Sequence, residues 1–365
     1  MAQSTESSVT LRAEFIRVVD MIYRDMCNLQ PGTNVLIISD SRTPPHVVAA
    51  FMGGAMAMGA EAMVAQNATP LPPSIQPGNE WNPMVVAAST EADLIVDLSV
   101  GYAQFMVDAV ARGARIVSPG DGTGAHHIEA TLMRTMLTVD LHKLRREANH
   151  IAALLTQAST LHITSEEGTD IVFDIDGLSG DAQDGFLWDP DRGEWKSSWA
   201  IVPPAAPSIN LPKGRGNGVI SVDGVLLYEP AYDHESPASP VYLTIENGKL
   251  VHIEGHPLFA GRLRHWLESL QDDTGYYGPI HCNLGTNPRA MMTQHHEFEA
   301  IRGAVVFGFG DLSMLGSLTG HDFETVKSDV HWDVLIMRPT MKLDDKVIVE
   351  NGIIPDPLPS LDRLY

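Results

Sequence analysis

Two histidines and a carboxylate in the last third of the chain have the types and spacing for metal chemistry. In "SDVHWDVLIM" (328–337) His331 stands two residues before Asp333. The stretch reads as a β-strand, whose period of two places His331 and Asp333 on one face and Val330, Trp332 and Val334 on the other. His281, in "GPIHCNLGTNPRA", and Glu254, in "VHIEGHP", are further candidate ligands. A lone histidine in a β-domain is more often packed and hydrogen-bonded than ligating. Two imidazoles and a carboxylate at strand spacing leave core and metal site as open alternatives.

Other candidates carry less. "SPGDGTGAHH" follows an apolar run and precedes a helical pattern, but its G-x-G-x-G spacing departs from G-x-G-x-x-G, and it reads as a strand-to-helix turn. The adjacent pairs His126–His127 and His295–His296 are expected to diverge, as neighbours do on a helix or a strand. No G-x-S-x-G or H-E-x-x-H occurs, and neither Cys27 nor Cys282 has a catalytic context.

The elements that must position these residues fall into two halves. Up to about residue 140, "NVLIISD", "AMVAQ", "ADLIVDLS" and "ARIVSPG" have the length and apolarity of parallel strands. Between them, "PHVVAAFMGGAMAMG" and "AQFMVDAVARG" read as helices that end in glycine. The pattern predicts an α/β N-terminal domain with an open, mostly parallel sheet over 1–140, and a connecting helix over 141–158.

Beyond it, 159–365 reads as a mainly antiparallel β, α+β C-terminal domain that carries the metal-binding candidates. Hairpin turns are expected at Glu167-Gly168, Asn247-Gly248 and Asn351-Gly352, with a helix at 257–270. The tryptophan-, proline- and glycine-rich segment 185–218 is expected to be irregular and to wall a pocket.

Composition bounds the partners. The 365 residues carry 24 basic and 46 acidic side chains, and a net charge of −22 disfavours nucleic acid and anionic membrane surfaces. Two distant cysteines argue against a disulfide scaffold or a thiolate zinc site and fit a reducing compartment. With no signal-peptide pattern and no run of about 18 apolar residues, a cytoplasmic protein is expected.

"GTNPRA" after a candidate ligand, with an H-x-D strand about 50 residues on, resembles the M29 aminopeptidase (aminopeptidase T)-like superfamily and its oxygenase branch, the 2,5-dihydroxypyridine 5,6-dioxygenases. Layout and chain length agree over most of the sequence, while the specific motifs lie within 250–340. The peptidases' two-metal site implies a glutamate before "GTN" and a histidine in an intervening "HIALG"-like strand. Here His281 holds the first position, and "AVVFGFGD" puts Val306, which cannot ligate, at the second.

The resemblance then implies a one-metal site of His281, His331 and Asp333, the 2-His-1-carboxylate facial triad of non-haem Fe(II) enzymes, which the dioxygenase branch carries at matching positions. It implies a homo-oligomeric, Fe(II)-dependent dioxygenase whose partners are O₂ and a small aromatic substrate, and which cleaves a hydroxylated N-heteroaromatic ring. The branch's pocket histidines have no counterpart, since the matching stretches read "LSVGYAQF" and "GEWKSSW". Tyr102, Ser197 and Ser198 are candidates for part of that work, Trp195 and Trp199 for stacking on a flat ring, and Glu254 for a base near the metal. The substrate is thus expected to differ from 2,5-dihydroxypyridine itself. A metallo-aminopeptidase with altered ligands and a silent relative that binds a small acid are the alternatives.

Overall fold

The apolar runs of the first 120 residues become strands β1 (Asn34–Asp40), β2 (Glu61–Asn67), β3 (Leu94–Asp97) and β4 (Arg115–Ser118). They pair in parallel, β2 with β1, β1 with β3, and β3 with β4. The structure is a computed structural model that describes residues 12–68, 81–120, 125–228, 239–270, 273–293, 295–311, 313 and 327–360. β1 shows why the runs are apolar throughout. Ile37 packs with Phe15, Val47, Phe51 and Ile128 on one side of the sheet, and Leu36 and Ile38 pack with Val85, Phe105 and Met106 on the other. Helices Pro45–Ala57 and Gln104–Ala111 occur where glycine-terminated helices are expected. Helix Leu141–Gln157 follows, its first turn capped by Asp140, which accepts from the Lys143 amide at 2.9 Å.

The rest of the chain is built of short strands. They are β5 (Thr160–Thr164), β6 (Asp170–Asp174), β7 (Gly180–Asp181), β8 (Trp188–Asp189), β9 (Glu194–Trp195), β10 (Trp199–Ile201) and β11 (Ser208–Asn210). There follow β12 (Asn217–Val222), β13 (Val225–Leu227), β14 (Val241–Glu246), β15 (Lys249–Gly255), β16 (His281–Leu284), β17 (Val305–Gly310), β18 (His331–Ile336), β19 (Thr340–Leu343) and β20 (Lys346–Val349).

Among the described residues most of these strands sort into two antiparallel sheets, β13-β18-β17-β16-β11-β7 and β15-β14-β12-β6-β5-β19-β20. The three expected turns are present. Asn247 and Gly248, at φ +49° and +66°, join β14 to β15, and a β-carbon on Gly248 would stand 2.7 Å from the Arg215 carbonyl oxygen.

The two antiparallel sheets share one core. Phe173, Ile220 and Leu243 from one, Cys282, Phe307, Trp332 and Val334 from the other, and Leu263 and Trp266 of helix Pro257–Ser269 all belong to it. One face of the six-stranded sheet is therefore consumed by packing, which leaves the other for chemistry.

The segment 185–218 is more ordered than its composition suggests. β8 and β9 pair with each other, and β10 leaves the antiparallel half altogether to extend the parallel sheet beside β4, with Trp199 opposite Ile116. Among the described residues no helix is long and apolar enough to cross a membrane.

Candidate metal centre

The site is a consequence of register. In the central strands of the six-stranded sheet, Gly308 of β17 pairs with His281 on one side and Asp333 on the other, while Gly310 pairs with His331. Side-chain alternation then puts His281, Asn283, Val306, Gly308, Gly310, His331 and Asp333 on one face. Cys282, Leu284, Phe307, Phe309, Trp332 and Val334 take the other face, in the shared core. Trp332 is wholly buried there, stacked on Phe309 at 4.3 Å, and its indole N–H donates to the Gly275 carbonyl at 2.8 Å.

Two strand spacings separate His281 from Asp333, too far for direct side-chain contact over a residue of ordinary size. Gly308 removes the obstacle. His281 Nε2 lies 3.2 Å from one Asp333 oxygen, and His331 Nε2 lies 3.4 Å from the other. A β-carbon on Gly308 would stand 2.0 Å from His281 Nε2. The two imidazoles are nearly parallel, with centroids 5.4 Å apart and 17° between planes.

All three residues are at most 4% exposed, and one ligand atom from each lies within 4.8 Å of the others. Among the described residues no other set of three histidine, cysteine or acidic side chains is so arranged.

The donor chemistry fits a metal cation. His281 Nδ1 is 3.0 Å from Asn283 Oδ1, and His331 Nδ1 is 2.8 Å from the Asp311 carbonyl oxygen. Each ring thus spends its Nδ1 outward and turns Nε2 toward Asp333, the arrangement by which ligating histidines are held in tautomer and orientation. Cys282 lies between His281 and Asn283 but faces the core, where burial pushes its thiol far above the usual range. Val306 shares the site's face and packs with Val225, Phe298 and Leu335, so that position is apolar.

The residues expected around the metal are only partly gathered. Tyr102 stands edge-on to the His331 ring at 5.3 Å, and Trp199 stands edge-on to Tyr102 at 5.6 Å. The loop that carries Tyr102 is shaped by Asp97, the last residue of β3, which accepts from the amides of Ser99, Val100 and Gly101 at 2.9, 2.7 and 3.0 Å. The Trp199 indole donates to Ser118 Oγ at 2.8 Å, so β10 is tied to the end of β4. The Ser197 hydroxyl is turned back on Trp199, donating to its carbonyl at 2.6 Å and accepting from its amide at 3.1 Å.

Trp195 is instead an outer residue, 40% exposed, with the Arg115 guanidinium 3.6 Å above its ring and Trp188 at 5.3 Å. Glu254 is likewise outside the group. β15 is an edge strand of the seven-stranded sheet, and alternation turns Glu254 to solvent, 3.5 Å from His252.

"GTNPRA" has a joining role. The Asn287 side chain donates to the Thr135 carbonyl at 3.0 Å, Arg134 donates to the Arg289 carbonyl at 3.1 Å, and the Thr286 amide donates to the Ala205 carbonyl at 2.9 Å. The motif clamps the sheet to helix Ile128–Leu137. The rings of His126 and His127 do not diverge: a 3-10 turn brings them to 3.9 Å. The side chains of His295 and His296, and residues 121–124 of the glycine cluster, lie outside the described residues.

Sequence reading missed Gly308, Asn283, Asp97 and Asp311 as site-forming residues. The signal was present for the first: "VFGFGD" alternates glycines with large apolar residues, which leaves one strand face bare.

A family model described as 2,5-dihydroxypyridine 5,6-dioxygenase matches residues 18–356. Among solved structures, the 2,5-dihydroxypyridine dioxygenase from Pseudomonas putida KT2440 superposes with a TM-score of 0.73 at 20% identity, over 94% of this chain and 97% of that one. AmpT from Thermus thermophilus superposes with a TM-score of 0.63 at 14% identity, over 94% of this chain and 100% of that one. At such identities these two show a shared fold. No curated protein matches by sequence.

Proposed function

The chain belongs to the 2,5-dihydroxypyridine 5,6-dioxygenase family, and from that premise we propose that it is a non-haem Fe(II)-dependent dioxygenase that opens a hydroxylated, pyridine-like ring. One observation carries the metal part of this reading: two imidazoles with Nδ1 engaged outward and Nε2 turned to one buried carboxylate across a glycine. Two histidines and a carboxylate are the ligand set of mononuclear Fe(II) oxygenases, in which the bound iron supplies the redox chemistry between O₂ and substrate.

The remaining residues bind, orient and exclude water. His281, His331 and Asp333 sit in a surround dry enough to strengthen every electrostatic contact with a bound ring. Tyr102 presents an aromatic wall next to His331, and Trp199 holds that wall from behind. Ser197 acts through Trp199, whose backbone it binds on both sides. Trp195 stacks with Arg115 at the outer end of the same segment, and we assign no role to Glu254.

Val306 supports a single metal in place of a pair, since its packing leaves no donor atom at that position. The test is anaerobic metal analysis followed by an oxygen-electrode screen of hydroxypyridines, hydroxypicolinates and catechols. About one iron per chain and O₂ uptake with a hydroxylated N-heteroaromatic are expected. A pair of tightly held zinc or cobalt ions, with cleavage of aminoacyl amides in the absence of O₂, would overturn the proposal in favour of the peptidase chemistry.

A further inference from the structure

We infer that Asn283 and Glu299 act as positioning residues that decide which nitrogen of His281 is available to a metal; the inference rests on the three-ligand reading of the site. His281 Nδ1 lies 3.0 Å from Asn283 Oδ1, and Asn283 Nδ2 donates to Glu299 Oε2 at 2.9 Å. All three side chains are buried. The chain imidazole, carboxamide, carboxylate thus runs from the metal face to the last residue of the short helix His295–Glu299.

Its polarity follows from donor and acceptor chemistry. Asn283 turns the NH₂ end of its amide to Glu299, whose Oε2 accepts from it. The carbonyl end must then face His281, where it accepts, and the proton of the neutral ring is held on Nδ1. Nε2 lies above Gly308 and faces the Asp333 carboxylate, so with Nδ1–H held by Asn283 it is the nitrogen from which a cation at Asp333 displaces any proton. A flipped amide would offer N–H to Nδ1 and drive the ring proton onto Nε2, where it blocks coordination.

His331 needs no such relay, because its Nδ1 meets the Asp311 backbone carbonyl, which can only accept. His281 differs in being paired on both sides, with Asn210 of β11 and Gly308 of β17, so that its neighbouring carbonyls serve the sheet ladder, whereas β13 pairs with β18 only as far as Asp333. A side-chain acceptor two residues along the same face takes their place. Its orientation is imposed by a carboxylate 16 positions away in sequence.

The test reads the tautomer directly. In metal-free protein labelled with ¹⁵N-histidine, the His281 resonances, assigned by their loss in His281→Gln, are expected to show a protonated Nδ1. Glu299→Gln, whose amide can donate or accept, is expected to shift them toward a mixture. Asn283→Leu is expected to do so more fully and to weaken Co(II) binding about 10–100-fold in a chelator competition, with a changed visible spectrum for the bound ion.

An Nε2–H tautomer in the unsubstituted protein, or Asn283→Leu protein that folds and holds Co(II) as tightly as the parent, overturns the inference. The tautomer measurement needs no variant that alters the relay, so it decides the matter even where Asn283→Leu fails to fold. Failure of the parent to bind Co(II), with no change on His331→Ala, would instead sink the metal-site reading and leave the tautomer result standing.

Discussion

The imidazole of His281 occupies the space that a side chain on Gly308 would fill, with Nε2 2.0 Å from the site of the missing β-carbon. Gly308 is outside the left-handed region of backbone space, so alanine could adopt its conformation, and steric exclusion alone requires glycine. Gly308→Ala is expected to push the His281 ring off Asp333 and lower metal affinity at least about tenfold, with a folding cost of about 1–3 kcal/mol. Metal analysis beside a thermal melt separates the two effects. Full iron content in a folded variant would contradict this account of the glycine.

Metal binding to a site present only in the folded chain must raise stability. At free Fe(II) or Co(II) near 100 times Kd the gain is about 2.7 kcal/mol. Thermal melts should therefore rise in the presence of metal for the parent and stay flat for His331→Ala and Asp333→Ala. A metal-dependent rise that survives either substitution would place the ion elsewhere.

Tyr102 meets His331 edge-on at 5.3 Å through its ring. Such aromatic contacts are worth about 0.5–1.5 kcal/mol. Tyr102→Phe is expected to leave KM within about threefold, and Tyr102→Ala to raise it about tenfold, once a substrate is in hand. Equal KM values for the two variants would show that the ring does not wall the substrate site.

Asp97 tests whether the parallel sheet positions the site. Its carboxylate gathers three backbone amides of the loop that leads to Tyr102. Asp97→Asn replaces an acceptor oxygen by a donor and is expected to cost about 1–3 kcal/mol in stability, seen in urea melts. It should also raise KM in the manner of Tyr102→Ala while leaving metal content intact. Loss of metal would mean that the loop also holds His331.

Much of this molecule was legible before its structure. Periodicity and turn residues were enough for β1, for the helix at 141–157 and for the Asn247-Gly248 hairpin, because each depends on side chains within a few positions. The i, i+2 spacing of His331 and Asp333 likewise placed them on one face, as alternation on a single strand demands.

What no local pattern carries is register between strands far apart in sequence. That His281, Gly308 and Asp333 fall in one line depends on how β16, β17 and β18 slide against one another, and a one-residue slip would turn the candidate ligands into the core. For the same reason Glu254 looked like a ligand until its strand proved to be a sheet edge, and Trp199 looked like part of a loop until β10 paired with β4. The sequence by itself determined the elements and the side-chain types of the candidate site. Long-range pairing, whose free energy comes from burying whole faces at once, decided which of them meet.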